Sequence, residues 1–356
     1  LIDKPYHIVP RQFTIIFFLT YLYIIIISSL SDFSYDSLTY DGVIFYFRYY
    51  FFCLAILYLS LENKKLINNI IFISLITTIV VILDGTLQLA TGKNILGWEI
   101  LYRVSGLFKD ELVIGVFLSK ILVLCFTYYD LSYPKKYIKL RYLFIITGFI
   151  FLIYTRERSA LVLFILYFLL YFLFVKKLNI KLILTIIFLI TSILISTLLI
   201  SEDISNYLFV TLSQINQSYI PYLPYPEGYE GLILSALNIF NENNILFGSG
   251  ANSFRNLCEL YSFKNFCTSH PHNYYIQTLI DLGLVGLIIL ILIYIRIIFL
   301  FFKIDDNDRL FKGFVLISLT YFFPLIPSMN FYNNWTNVII FTPISISLYY
   351  WYTSKK

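Results

Sequence analysis

Long apolar runs separated by short polar stretches recur along the chain. A helix needs about 20 mainly apolar residues to cross a bilayer. Ten runs approach that length: residues 13–30, 43–61, 66–83, 112–129, 142–155, 159–175, 182–200, 280–302, 311–327 and 336–352. The fifth and ninth are short, which fits tilted or partly buried helices. The pattern predicts an all-α fold, a polytopic membrane helix bundle of about ten transmembrane helices, and up to twelve in a longer chain. Residues 1–356 are expected to form a single integral membrane domain.

The polar intervals are unequal. One connection, about 84–111, is of medium length, and another, 201–272, is by far the longest. Loops of that size are usually functional or disordered. This one carries Pro221, Pro224, Pro226 and Gly228, then "GLILSALNIF" at 231–240, which predicts a short amphipathic helix lying on the membrane.

Composition agrees with the pattern. Only 13% of residues are charged, 59% are hydrophobic, and the mean hydropathy is +0.79. A soluble domain carries roughly 25% charged residues. The first residue is Leu1, which leaves room for a missing N-terminal piece. The first apolar run has no cleavable signal pattern and reads as a span.

Charge sets an orientation. With the N-terminus in the cytoplasm and every run crossing, most of the 26 Lys and Arg fall inside, as the positive-inside rule requires. The outer side keeps Lys93, Arg103, Lys109, Arg156, Arg158, Arg255 and Lys264, while Arg48, Lys120 and Arg296 fall within runs. The 201–272 loop then faces the periplasm. The lipid bilayer is the expected partner, and no basic run suggests nucleic acid. Cys53 and Cys125 lie in spans as packing residues. Cys258 and Cys267 bracket "ELYSFKNF" in the long outer loop, where an oxidising periplasm would join them in a disulfide. Two free thiols near the bilayer surface are the alternative.

Three outer stretches carry the candidate chemistry. In "SHPHNYYIQTLIDLGLVG", 269–286, His270 and His272 precede a helix whose Asn273, Gln277 and Asp281 step by four and share a face. That predicts a polar edge facing a cavity, with Gly283 and Gly286 allowing close helix approach. His272 sits where unpaired helix N–H groups favour anions. The plainer alternative is an interfacial histidine that caps and anchors the helix. No metal is expected, because catalytic zinc normally takes three protein ligands and the third histidine, His7, falls on the other side of the membrane.

In "YTRERSALVLF", 154–164, Arg156, Glu157 and Arg158 occupy a tight turn between spans. Arginine stays charged and grips phosphate with a fork of N–H groups. The alternative has both arginines snorkelling to headgroups and pairing with Glu157. In "YRVSGLFKDELVIGVFLSK", 102–120, Arg103 precedes a Ser-Gly turn, Gly115 is a close-packing position, and Lys120 lies about two turns inside, where a carboxylate or phosphate is expected beside it. Arg103, Arg156, Arg158 and His272 together suit a lipid-linked pyrophosphate. The arginines would stabilise charge on the leaving phosphates, and the imidazole would take a proton from an acceptor hydroxyl.

At these residues the chain resembles the O-antigen polymerase/ligase family of bacterial inner-membrane glycosyltransferases. The family signature is His-Asn (or Ser, Gln), nine residues, Gly, two residues, then Gly, Thr or Tyr. Here His272-Asn273 is followed by nine residues, Gly283, two residues and Gly286. "FGSGANSF" at 247–254, with Gly248 and Gly250, resembles the glycine-rich segment that precedes the signature. "RSAL" at 158–161 resembles the family's arginine-containing start of a span, and "RVSGLFKDELVIG" at 103–115 resembles a stretch common among polymerases.

The resemblance implies a multi-helix fold with a large periplasmic loop. It implies glycan transfer from an undecaprenyl-pyrophosphate-linked oligosaccharide, without metal or other cofactor, for lipopolysaccharide biosynthesis at the cell inner membrane. His272 and Arg158 carry over as the catalytic pair. Arg103, Arg156, Arg255, Asn273 and Gln277 are the expected pyrophosphate or glycan contacts. Family members often carry an arginine at the start of the amphipathic stretch; this chain has Glu230-Gly231 there, and Arg255 is the expected substitute.

An O-antigen polymerase-like enzyme leads, with a second lipid-linked glycan as acceptor and partner proteins of glycan assembly. An O-antigen ligase is the near rival, with lipid A–core as acceptor. A transporter is the rival from another class; it wants paired charges at mid-membrane, and Arg48 and Lys120 have no obvious matching acids in the spans. A structural assembly protein would have no need of the His-Asn signature.

Overall fold

The computed structural model describes residues 9–31, 43–200, 227–262 and 266–355. His7, Lys264 and the prolines 221, 224 and 226 lie outside the described residues. Within them the chain is helical, and extended pairing is confined to one bridge, Lys93 with Glu99. The helices are α1 (Arg11–Leu30), α2 (Arg48–Glu62), α3 (Leu66–Thr91), α4 (Ile114–Ser132), α5 (Ile138–Tyr154), α6 (Arg158–Leu170), α7 (Ile180–Ile200), α8 (Glu227–Glu242), α9 (Phe254–Tyr261), α10 (Tyr274–Lys303), α11 (Arg309–Tyr321) and α12 (Asn334–Thr353). A π-turn, Tyr171–Val175, extends α6.

Each of the ten apolar runs coincides with one of these helices. Five helices of the described residues are long and apolar enough to cross a membrane: α1, α3, α4, α6 with its π-turn, and α10. The described residues form an all-helical fold, and the apolar helices mark a membrane protein. The ninth run ends early. It reads as apolar to residue 327, but α11 stops at Tyr321, because Pro324 and Pro327 cannot donate to a helical ladder. Residues 322–333 are thereby released as a loop.

The chain divides into two compact units. One comprises Leu59–Val210 and Ile304–Tyr321. Its centre is α4, buried along most of its length and packed by α3, α5, α6 and α11. Small residues let the helices close: a Cβ on Gly148 would come within 2.7 Å of Leu122, and one on Gly313 within 2.7 Å of Thr127. Lys120 differs from expectation. It is buried, and its ammonium lies 5.3 Å from the centre of the Tyr321 ring, whose hydroxyl donates to the Lys120 carbonyl at 2.7 Å. An aromatic face takes the place expected for a carboxylate. Asp130 is a buried carboxylate of this unit. Tyr171 donates to it at 2.6 Å, Lys176 lies 2.6 Å away, and Arg141 approaches at 3.6 Å while donating to the carbonyls of Tyr129, Tyr133 and Pro134 at the end of α4.

The other unit comprises Leu1–Tyr58, Thr211–Lys303 and Phe322–Lys356. The amphipathic stretch at 231–240 forms the body of α8. Its apolar face packs on protein: Leu232, Ala236 and Ile239 join Phe254, Leu257, Cys258 and Ile280 in one buried cluster with α9 and α10. Each buried Leu, Ile or Phe stabilises by about 1.5–3 kcal/mol relative to water. Gly231 leaves room for the Phe266 ring, and Ser235 donates to the Phe266 carbonyl at 2.7 Å. Cys258 and Cys267 form a disulfide, with Cα atoms 5.5 Å apart, between α9 and the His270–His272 segment. Cys53 and Cys125 are buried free thiols.

Candidate functional site

Helix α10 is broken at Gly283, where φ is 65° and ψ is −168°. The break takes the carbonyls of Ile280 and Asp281 out of the helical ladder. Both find partners in the glycine-rich segment: Ser249 N donates to Ile280 O at 3.0 Å, and Gly250 N to Asp281 O at 2.9 Å. The exchange is mutual, since Leu284 N and Val285 N donate to Ile245 O and Leu246 O at 3.0 and 3.2 Å. Tyr23 donates to Leu282 O at 2.8 Å. Broken backbone at membrane depth is tolerated only where protein satisfies it, and here "FGSG" does so.

The glycines follow from this. A Cβ on Gly283 would lie 2.3 Å from Leu246 O, one on Gly248 2.5 Å from Gly283 N, and one on Gly250 2.5 Å from Ser31 Oγ. A Cβ on Gly286 would lie 2.3 Å from Leu282 Cβ. Close approach was expected of Gly283 between helices. Its partner is instead the backbone of a loop.

The polar stripe also serves the fold. Asn273 caps α10, its Oδ1 accepting from Tyr275 N and Ile276 N at 2.9 and 3.2 Å, while its Nδ2 donates to Pro324 O at 2.8 Å. Gln277 is buried, donates to Asn330 Oδ1 at 3.0 Å and accepts from Phe331 N at 2.9 Å. Asp281 accepts from Ser253 N and Oγ at 3.1 and 3.0 Å. The spacing predicts an edge facing a cavity with Asn273 and Gln277 on substrate; the structure turns that edge onto the 322–333 loop and the glycine-rich segment. Sequence reasoning missed that loop altogether. The signal was there in Pro324 and Pro327, which mark a helix end.

His272 is half-buried and left-handed, with φ 53°, and its carbonyl accepts from Ser328 N at 2.8 Å. His270 is buried behind it, ring centres 4.1 Å apart, its Nδ1 3.1 Å from Ser269 Oγ. Burial pushes the His270 imidazole down to about 3, His272 and Arg255 push the same way, and the Ser328 backbone opposes them. Arg255 is exposed on α9. Its charge acts on His270, so this unit holds His270, His272, Arg255, Asn273 and Gln277.

A pH dependence follows. The folded pKa of His270 lies below the ordinary 6.5, so the folded state binds fewer protons between about pH 3 and 6.5. Stability therefore rises with pH through that window, by up to about 1.4 kcal/mol per unit. We expect the thermal midpoint to fall on acidification below pH 6.5, and the His270→Gln variant to show a shallower slope. Equal slopes would refute the assignment.

The arginines gather in the other unit. Arg156 is left-handed, with φ 57°, and Arg158 opens α6. Between them Glu157 is buried and caps α4, accepting from Gly115 N and Val116 N at 2.8 and 2.9 Å. A Cβ on Gly115 would meet Thr155 Oγ1 at 2.7 Å, which makes it the close-packing position expected. Burial raises the Glu157 carboxyl, against the nearby Arg103 charge and the two backbone N–H groups. Arg103 donates to Leu112 O at 2.9 Å, and its buried Nε has no hydrogen-bond partner. The 92–112 loop that carries it is held by α3: Gln88 accepts from Ser105 N and Gly106 N at 3.0 and 2.8 Å, and Asp84 from Ile95 N at 2.9 Å. The charge of Arg103 thus acts on this capping carboxylate, which Arg156 and Arg158 flank in sequence.

The sequence model of the O-antigen ligase family matches residues 143–291. Over that stretch the chain is similar to the O-antigen ligase family. The matched stretch contains Arg156, Arg158, the glycine-rich segment at 247–254, His272, Gly283 and Gly286, and leaves out Arg103 and the 322–333 loop. No curated protein matches the chain. Members of the O-antigen ligase family are membrane enzymes of glycan processing, which the apolar helices and the absence of an extended sheet among the described residues fit.

Proposed function

We propose that this protein is an O-antigen polymerase-like glycosyltransferase of the bacterial inner membrane, taking its donor from undecaprenyl pyrophosphate at the periplasmic face without a metal. The whole chain works as one membrane domain, with partner proteins of glycan assembly. The observation that carries the reading is the half-buried His272 of the family signature, fixed at the start of a broken helix beside a neutral His270. In the reaction an acceptor hydroxyl attacks the anomeric carbon of the donor sugar. The C–O bond to pyrophosphate breaks, His272 takes the hydroxyl proton, and Arg158, with Arg103 and Arg156, stabilises the charge on the departing pyrophosphate. Asn273 and Gln277 hold His272 in place, and Arg255 lies at the glycan side.

The ligase reading draws on the family description itself. It keeps the chemistry and changes the acceptor to lipid A–core. A transporter would want a discontinuous helix, and α10 is one. Its freed carbonyls, however, are taken by Ser249, Gly250 and Tyr23, so they offer no ion a site.

The test is transfer in detergent by purified protein from a defined undecaprenyl-pyrophosphate oligosaccharide, with and without chelator. We expect longer lipid-linked glycans in both. Loss with chelator would remove the metal-free mechanism. Product formed only on lipid A–core would make the protein the ligase. In cells, loss of a polymerase leaves one repeat on the core, whereas loss of a ligase leaves none.

A further inference from the structure

We infer that Asn330, outside the family-matched stretch, is a positioning residue that sets the geometry of His272. Its Oδ1 accepts from Gln277 Nε2 at 3.0 Å and from Tyr332 N at 2.9 Å, and its Nδ2 donates to Asn252 Oδ1 at 3.0 Å. One amide thereby joins the glycine-rich segment, α10 and the 322–333 loop. The same loop reaches the histidine: Ser328 N donates to His272 O at 2.8 Å, and Pro324 O accepts from the cap residue Asn273 at 2.8 Å.

His272 needs this restraint. A non-glycine residue in the left-handed region costs about 1–2 kcal/mol and persists only where surroundings over-determine it. Asn252, the other end of the relay, is also left-handed, with φ 61°. With Asn330 cut away, the loop loses its register against Gln277, and the Ser328 contact that fixes His272 slackens. A displacement of about 1 Å at a reacting group can cost on the order of 10²-fold in rate. Asn330 acts through His272 and touches no reacting atom.

The inference rests on the proposed transferase reaction, and its test is kinetic. The full-length protein in detergent is assayed with an undecaprenyl-pyrophosphate oligosaccharide donor. For Asn330→Ala we expect kcat to fall about 10- to 100-fold with KM for the donor nearly unchanged. Asn330→Asp keeps both acceptor contacts, and the Asn252 amide can flip to donate to it, so it is expected to recover most of the activity. Asn252→Gly tolerates the left-handed backbone and cuts one limb only. It is expected to lower kcat in the same direction, which keeps the question open to measurement if Asn330→Ala does not fold. A wild-type kcat in Asn330→Ala, or Asn330→Asp no better than Ala, would overturn the inference while an active wild type upholds the reaction. An inert wild type would overturn both.

Discussion

Replacing His272 by alanine is expected to lower glycan transfer by about 10²- to 10⁴-fold, the range that a positioned general base supplies. The backbone hold on residue 272 survives the change, because its carbonyl accepts from Ser328 N whatever the side chain. The cap of α10 belongs to Asn273, and the buried imidazole is His270. His272→Ala should therefore insert and remain as stable as wild type in detergent while kcat collapses. Donor KM should change little, since the pyrophosphate contacts are assigned to arginines. Arg158→Ala is expected to differ in kind: it removes charge stabilisation that grows as the leaving group departs, so kcat/KM falls with a share of the loss in KM. Long-chain glycan ladders from cells carrying only His272→Ala would end the assignment.

The two residue sets were legible to different depths. Spans were readable because bilayer thickness imposes a length that sequence displays directly. The fifth run is indeed a 17-residue helix and the ninth a 13-residue one. The order of motifs from Arg103 to Gly286 was readable as well. Periodicity reports which residues share a helix face; it does not report what that face meets. Asn273, Gln277 and Asp281 do share one, and they meet other protein segments rather than a cavity. Glu157 reads as an ion-pair partner because arginines flank it in sequence, whereas its carboxylate caps a helix that starts 43 residues earlier, at Ile114. Such contacts depend on tertiary placement, which local pattern does not encode. The same holds for Lys120 and the Tyr321 ring, 201 residues apart in sequence.

Gly283→Ala is expected to be the most damaging single-methyl change in the protein, costing upward of about 3 kcal/mol through backbone strain and overlap together. Positive φ with ψ near 180° is a region that glycine alone occupies comfortably, and Gly283 sits in it at φ 65° and ψ −168°. The new Cβ would also stand 2.3 Å from Leu246 O and 2.5 Å from Phe247 N, both backbone atoms that cannot swing aside. Relief requires withdrawing the glycine-rich segment from α10, which gives up the donations of Ser249, Gly250, Leu284 and Val285. It also pulls Ser253 from Asp281, leaving a buried carboxylate short of donors.

Gly97→Ala separates the two terms. Gly97 has φ 82° and no atom within 4 Å of its Cβ position, so it carries strain without overlap. That variant is expected to lose only about 1–2 kcal/mol. Thermal unfolding in detergent, monitored by fluorescence-detected gel filtration, compares them. If Gly283→Ala melted with Gly97→Ala, the break in α10 would be a soft bend, and the interlocked backbone would lose its place as the frame for His272.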